Sequence, residues 1–135
     1  MKMTVLVIED SRFLRFALER TLVKAGHKVI AVGNGHEGLH LAQETRPDVI
    51  LLDMLLPTLE GIEVLRHLKG NPLTQPIPVI VLSSLSQRNE KKLKMAGAAA
   101  YFEKSKLNLE EDGSVLVQAV EHVRADQVAS PGAVV

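Results

Sequence analysis

The sequence has no cysteine and few aromatic residues among its 135 amino acids. Without cysteine, the chain forms neither disulfides nor thiolate metal sites. The aromatic content of 3% argues against the stacking surfaces on which proteins bind single-stranded nucleic acid. The chain also lacks an apolar run of about 18 residues, the length that a membrane-spanning helix needs.

The chain has no excess of charge of either sign, because its 16 basic and 16 acidic side chains cancel. A neutral balance offers no electrostatic reason to expect a nucleic acid or an anionic membrane as partner. The opening residues, MKMTVLVIED, lack the apolar length and cleavage site of a signal peptide. We therefore expect a cytoplasmic protein with a real core, since 46% of its residues are hydrophobic.

Short apolar runs alternate five times with amphipathic segments. The predicted strands cover 4–8, 28–32, 48–52, 79–82 and 98–103. The predicted helices run from a Ser11 cap to Gly26, over 36–45 and 62–69, from Ser84 or Ser86 to Gly97, and over about 111–125. In the first helix, the apolar residues at helical spacing are Phe13, Leu14, Ala17, Leu18 and Leu22. The alternation predicts an α/β fold, a doubly wound five-stranded parallel sheet with helices on both faces. One domain over 1–125 and a flexible tail over 126–135 are expected.

Polar side chains of a particular kind stand where the predicted strands end. Glu9 and Asp10 follow the first strand, Asp53 the third, Ser83 the fourth, and Lys104 the fifth. Sites in open parallel sheets form at the carboxyl ends of the strands, so these groups should meet at one edge. Three crowded carboxylates repel unless a cation or proton intervenes. An all-oxygen ligand set with open water positions suits Mg²⁺.

This arrangement is suited to phosphoryl transfer. A carboxylate such as that of Asp53 can act as a nucleophile and form an acyl phosphate. The oxygens of the transferring phosphoryl group then need positive or hydrogen-bonding partners. Mg²⁺, Lys104 and Ser83 would each serve one of those oxygens.

Four motifs in this order resemble the receiver domain of bacterial two-component response regulators, of the single-domain chemotaxis type. They are VIEDS with Glu9 and Asp10, LLDMLLP with Asp53, VLSS with Ser83, and YFEKS with Tyr101 and Lys104. The resemblance covers about residues 4 to 125. It implies a flavodoxin-like three-layer sandwich with strand order 2-1-3-4-5, of which chemotaxis members of this family are well-known examples.

The resemblance also implies how such a domain works. A sensor histidine kinase would transfer its phosphoryl group to Asp53, and the main-chain carbonyl of Leu55 would join Glu9, Asp10 and Asp53 around Mg²⁺. Ser83 and Tyr101 would act as the switch, altering a surface on the fourth helix, fifth strand and fifth helix. The chain would promote its own phosphorylation and dephosphorylation without a separate turnover substrate. Its output partner would be a downstream target or a phosphotransfer protein, and it would be a monomer or weak dimer.

Several residues depart from the usual pattern of this family. Glu9 replaces the more common Asp, so we expect it to act on the metal through a water, with Asp10 as the direct ligand. Ser105 replaces a Pro, and we expect a trans Lys104–Ser105 bond with a shifted loop, because a non-proline cis bond costs about 3–4 kcal/mol. The Ser83–Lys104 interval is one residue short. Apolar Leu55 and Leu85 predict slow attack by water and a phosphorylated state lasting on the order of hours.

Other interpretations of the same residues remain open. Glu9 and Asp10 could only cap the following helix, and Ser84 with Gln87 could form a capping box. A haloacid-dehalogenase-like phosphatase needs a second acid where Leu55 stands, and EDSRFLR repels the phosphate of a flavin. A receiver-like interaction module that is not phosphorylated is the main functional alternative. His36 and His40 offer two metal ligands on one helix, which is too few for a site.

Overall fold

Five parallel strands form one sheet in the order β2-β1-β3-β4-β5. The computed structural model describes residues 2–84, 90–107 and 109–129. The strands are β1 (Thr4–Ile8), β2 (Lys28–Val32), β3 (Val49–Asp53), β4 (Val79–Ser83) and β5 (Ala100–Glu103). The predicted fold class and strand order are confirmed. Continuous apolar runs form these strands because a parallel sheet with both faces covered has no solvent face.

Helices connect the strands and lie on both faces of the sheet. They are α1 (Arg12–Lys24), α2 (Gly35–Thr45), α3 (Gly61–Gly70), α4 (Glu90–Met95) and α5 (Ser114–Ala129). Ser11 caps α1 as predicted, its side chain accepting a hydrogen bond from the Leu14 N–H at 3.3 Å. The last helix extends four residues beyond its predicted end, and the proposed capping box at Gln87 lies outside the described residues. None of the described helices combines the length and apolarity needed to cross a bilayer.

Two apolar clusters fill the space between the sheet and its helices. One joins alternate residues of the central strands to α2, α3 and α4, and includes Ile8, Leu52, Leu65 and Tyr101. The other joins the opposite faces of the same strands to α1 and α5. All five residues of β3 are buried. Each fully buried Leu or Ile contributes roughly 1.5–3 kcal/mol, so β3 anchors the centre of the molecule.

Phe13, one of the apolar residues at helical spacing in the first predicted helix, does not pack against the sheet. Leu18 and Leu22 are buried, whereas the side chain of Phe13 is 83% exposed. At about 100° per residue, Phe13 points roughly 140° away from Leu18 around the helix. Apolar residues on α1 therefore occupy two faces, and only one of them meets the sheet.

The strand register aligns the residues that end β3, β4 and β5. Asp53 lies opposite Leu82, and Ser83 lies opposite Glu103, the residue before Lys104. Because all strands are parallel, their carboxyl ends share one edge of the sheet. The fold thus gathers groups that are up to 95 positions apart in sequence, from Glu9 to Lys104, along this C-terminal edge.

Candidate functional site

Asp53 ends β3 and is buried at the C-terminal edge of the sheet. Its side chain is 2% exposed. One carboxylate oxygen, Oδ1, lies 3.0 Å from the Lys104 Nζ and accepts a hydrogen bond from the Leu55 N–H at 3.3 Å. The next residue is held by a backbone bond from the Met54 N–H to the Leu82 carbonyl at 3.0 Å. Pairing with β4 at Asp53 and at the residue after it therefore limits the movement of the acceptor.

Glu9 and Asp10 bring two more carboxyl groups to Asp53. One carboxylate oxygen from each of the three residues lies within 4.8 Å of the other two, and the described residues contain no other group of three potential metal ligands. Glu9 is buried, and its Oε2 accepts a hydrogen bond from the Ser11 N–H at 3.0 Å. Asp10 is exposed. The capping interpretation is partly correct, since Glu9 does bind the amide of the residue that caps α1.

The electrostatics of this cluster follow from burial and proximity. Burial raises the pKa of Glu9 to about 7, and the nearby Asp53 carboxyl adds to that rise. Burial alone would lower the pKa of Lys104, but its contacts with Asp53 and Glu9 outweigh this effect and raise it. One ammonium therefore serves two buried acids, and a third acid lies beside them.

The residues present fit a hard divalent cation. The Oε1 atom of Glu9 is buried and faces the Lys104 Nζ at 3.0 Å, as an ion pair rather than a well-directed hydrogen bond. The surrounding donors are all oxygens, with the open side at Asp10, and this is the environment that Mg²⁺ binds.

Lys104 reaches the cluster from the turn that follows β5. A single 3-10 turn spans Lys104–Lys106, and the side chain of Lys104 is 22% exposed. No cis peptide bond occurs in the described residues, so the Lys104–Ser105 bond is trans, as predicted.

Three further predicted residues, Ser83, Tyr101 and Leu55, lie on or near the same edge. Ser83 ends β4 and is buried. Tyr101 lies on β5, paired in register with Val81. It is only 5% exposed and belongs to the apolar cluster that also contains Ile8 and Leu52. The side chain of Leu55 is 55% exposed beside Asp53, while Leu85 lies outside the described residues.

Two further residues shape the site. Gly61 begins α3, and its N–H donates to the Met54 carbonyl at 3.0 Å; a Cβ there would lie 2.7 Å from the Met54 Cα. Arg15 on α1 donates to the Glu9 carbonyl at 2.9 Å. The sequence contains Gly61 within a GxEVL motif but gives no sign of its close backbone approach. Arg15 has no sequence signal at all, because a contact with a main-chain carbonyl selects no partner residue type.

Comparison with known proteins supports the geometry. The family model of the response regulator receiver domain matches residues 5–121. The polar-differentiation response regulator DivK of Brucella anthropi is 38% identical over 106 residues, which are 77% of this chain and 85% of that protein. The gliding motility regulatory protein of Myxococcus xanthus is 40% identical over 124 residues, 90% of this chain, but this chain spans only 15% of its length.

The solved structures agree with the sequence relatives. The chemotaxis response regulator CheY4 of Vibrio cholerae superposes with a TM-score of 0.79 at 28% identity, covering 89% of this chain and 99% of that one. The likeness therefore extends over most of the fold. The family match also spans most of the chain and includes every strand-end residue discussed above. This chain therefore belongs to the receiver-domain family of two-component response regulators.

Proposed function

We propose that this receiver domain accepts a phosphoryl group on Asp53 from the phosphohistidine of a sensor kinase, in the presence of Mg²⁺. The observation that carries the proposal is the contact of 3.0 Å between the Asp53 Oδ1 and the Lys104 Nζ, beside the carboxyl groups of Glu9 and Asp10. A buried nucleophilic carboxylate with one fixed ammonium and a cation-binding set of acids is suited to receive an anionic group.

Asp10, Asp53 and the main-chain carbonyl of Leu55 would hold the metal directly, and Glu9 would act through a water. When bound, Mg²⁺ supplies positive charge that offsets the repulsion between the acids and the incoming phosphoryl oxygens. The position of Glu9 beside Asp10 and Asp53 supports a role on the cation side of the pocket.

The transfer needs one nucleophile from this chain. A carboxylate oxygen of Asp53 forms a bond to phosphorus while the N–P bond of the phosphohistidine breaks. The electron pair of that bond stays on the imidazole nitrogen, and the ring leaves as neutral imidazole when its other nitrogen carries a proton. Lys104, which contacts the Asp53 carboxylate, would orient it and pair with a phosphoryl oxygen. The Ser83 hydroxyl, at the end of the neighbouring strand β4, would serve a second phosphoryl oxygen.

The signal would pass from Ser83 to Tyr101. The two residues lie on adjacent strands, and the burial of Tyr101 against the apolar cluster supports a part for it in such a switch. Movement of Ser83 toward the phosphoryl group would favour that position and change the surface of α4, β5 and α5, which would bind the downstream target or phosphotransfer protein.

The donor must cover the C-terminal edge of the sheet to bring its histidine to Asp53. Exposed apolar side chains occur on the segments that follow β1 and β3 at this edge. Phe13 and Phe16 are 83% and 64% exposed on α1, which starts two residues after Asp10, and Leu55 is 55% exposed beside the acceptor. Exposed aromatic side chains are typical anchors of protein interfaces. We therefore assign this part of the surface to the phosphoryl donor.

The proposal is tested with a small acyl phosphate, acetyl phosphate, which needs no docking surface. Intact-mass measurement should show one added phosphoryl group with Mg²⁺ and none with a chelator. Asp53→Asn should abolish the gain. Asp112→Asn is the matched control, since Asp112 binds the Ser114 N–H at 3.0 Å outside the acidic cluster, and should be phosphorylated like the wild type. Failure of the wild type to gain mass would favour an interaction module that is not phosphorylated.

A further inference from the structure

We propose that Arg15 is a positioning residue that aims the Asp10 carboxylate at the cation site. The inference rests on the proposed function of that site and concerns a side chain that does not touch the metal or the phosphoryl group. Arg15 lies on the first turn of α1 and is half-buried. Its guanidinium reaches back over the loop that joins β1 to α1.

One guanidinium nitrogen contacts both peptide units that flank Asp10. The Nη1 of Arg15 donates to the Glu9 carbonyl at 2.9 Å and, more weakly, to the Asp10 carbonyl at 3.4 Å. These carbonyls belong to the peptide planes on either side of the Asp10 Cα. Fixing both planes restricts the backbone dihedral angles at Asp10, and these angles set the direction of its side chain.

Asp10 depends on this restraint because its own side chain is not held by the surrounding structure. Within residues 2–84, 90–107 and 109–129, the Asp10 carboxylate forms no hydrogen bond, and the side chain is exposed. Glu9, by contrast, is tied through its Oε2 to the Ser11 N–H and through its own N–H to the Val32 carbonyl. Of the two acids that follow β1, the one expected to bind the cation directly is thus the one whose orientation comes from its backbone.

The charge of Arg15 allows positioning to be separated from simple electrostatics. A cation close to a cation site repels Mg²⁺, so removal of the charge alone would strengthen Mg²⁺ binding. Loss of positioning would instead weaken Mg²⁺ binding. Residues that orient metal ligands typically account for about 10–100-fold in metal affinity. We expect Arg15→Gln to raise the Mg²⁺ dissociation constant about tenfold, at the low end of that range.

Gly33 offers a second way to disturb the same contact without changing any charge. A Cβ at residue 33 would lie 2.9 Å from the Arg15 Nη1 and 3.7 Å from its Cζ. The end of an arginine side chain can move aside at little cost in stability, but it then leaves the Glu9 carbonyl. Gly33→Ala should therefore weaken Mg²⁺ binding in the same direction as Arg15→Gln.

The experiment is isothermal titration of the full chain with Mg²⁺, using the wild type, Arg15→Gln, Gly33→Ala and Arg12→Gln. Arg12 is exposed on the same helix turn, so Arg12→Gln loses the same charge and should bind Mg²⁺ within about twofold of the wild type or more tightly, as Coulomb's law requires. Acetyl phosphate kinetics provide the second readout. Arg15→Gln should need about tenfold more Mg²⁺ for half-maximal labelling, with a rate near that of the wild type at saturation.

The outcomes separate this inference from the function on which it rests. Weaker binding by Arg15→Gln, with Arg12→Gln unaffected, supports the positioning role. Unchanged or tighter binding by Arg15→Gln overturns it while the cation site stands. If Arg15→Gln does not fold, Gly33→Ala decides by the same criterion. A wild type that binds no Mg²⁺ overturns both the inference and the proposed site.

Discussion

Two glycines at opposite ends of α3 provide a matched test of how tightly the acceptor segment is packed. Gly61 begins the helix, where an added Cβ would lie 2.7 Å from the Met54 Cα, 2.9 Å from the Met54 carbonyl oxygen and closer still to the Asp53 carbonyl oxygen. Gly70 ends the helix, and a Cβ there would have no atom within 4 Å. Both residues have φ angles open to alanine, so the substitutions differ mainly in the space available.

The expected difference in the free energy of unfolding follows from two effects. Alanine is favoured over glycine in a helix by roughly 0.5–1 kcal/mol, which Gly70→Ala should gain. Gly61→Ala should add an overpacking cost of about 1–3 kcal/mol, because every atom in its way is backbone and none can rotate aside. Subtracting one variant from the other removes most of the propensity gain. The free energies of unfolding should therefore differ by about 1–3 kcal/mol, with Gly61→Ala the less stable.

Urea unfolding measures that difference, and acetyl phosphate labelling measures its effect on the site. Gly61→Ala should also slow labelling with Mg²⁺, since the backbone that must move carries Asp53 and Met54. Gly70→Ala should label like the wild type. Equal stability and equal labelling of the two variants would show that the approach of α3 does not constrain the acceptor, and would refute the packing argument.

Three further predictions test the charges and surfaces of the site. With a chelator present, the free energy of unfolding of the wild type should fall relative to that of Glu9→Gln as the pH rises from about 4.5 to about 7. The pKa of the buried Glu9 carboxyl is raised, so the folded state keeps its proton to a higher pH than the unfolded state does, and the total change is on the order of 3 kcal/mol. A difference between the two proteins that does not vary with pH in urea unfolding would contradict this prediction. Leu55→Asn should speed phosphate release about tenfold, or roughly 1.4 kcal/mol of barrier, by admitting water, whereas the similarly exposed control Leu73→Asn should not; equal rates would dismiss the water-exclusion argument. Phe16→Ala should slow phosphoryl transfer from any histidine kinase that phosphorylates the wild type, without slowing labelling by acetyl phosphate. Equal slowing with both donors would show that Phe16 supports the folded structure and not the docking of the kinase.

The strands and the site residues could be predicted because their signals are local. Continuous runs of Val, Ile and Leu mark a doubly covered parallel sheet, and the polar residue that ends each run marks the edge where sites form. Predicting the contact between Asp53 and Lys104 required only the assumption that β3, β4 and β5 are neighbours. Topology, not sequence distance, brings them to 3.0 Å.

The features that escaped prediction depend on tertiary structure. The exposure of Phe13 escaped because an apolar residue at helical spacing does not reveal which of two faces meets the sheet. The extension of the last helix to Ala129 escaped prediction because a helix end without a strong capping residue is poorly marked in the sequence. The contacts of Arg15 and Gly61 involve main-chain atoms, which are the same in every residue and therefore leave no trace in the pattern of side chains.

The central claim, that Asp53 is the phosphoryl acceptor, is tested most directly by trapping the acyl phosphate. Borohydride reduces an aspartyl phosphate to homoserine but leaves free carboxyl groups intact. After treatment with acetyl phosphate and Mg²⁺, peptide mapping should find homoserine at residue 53, and only when Mg²⁺ is present. Homoserine at another position, or at none, would contradict the account.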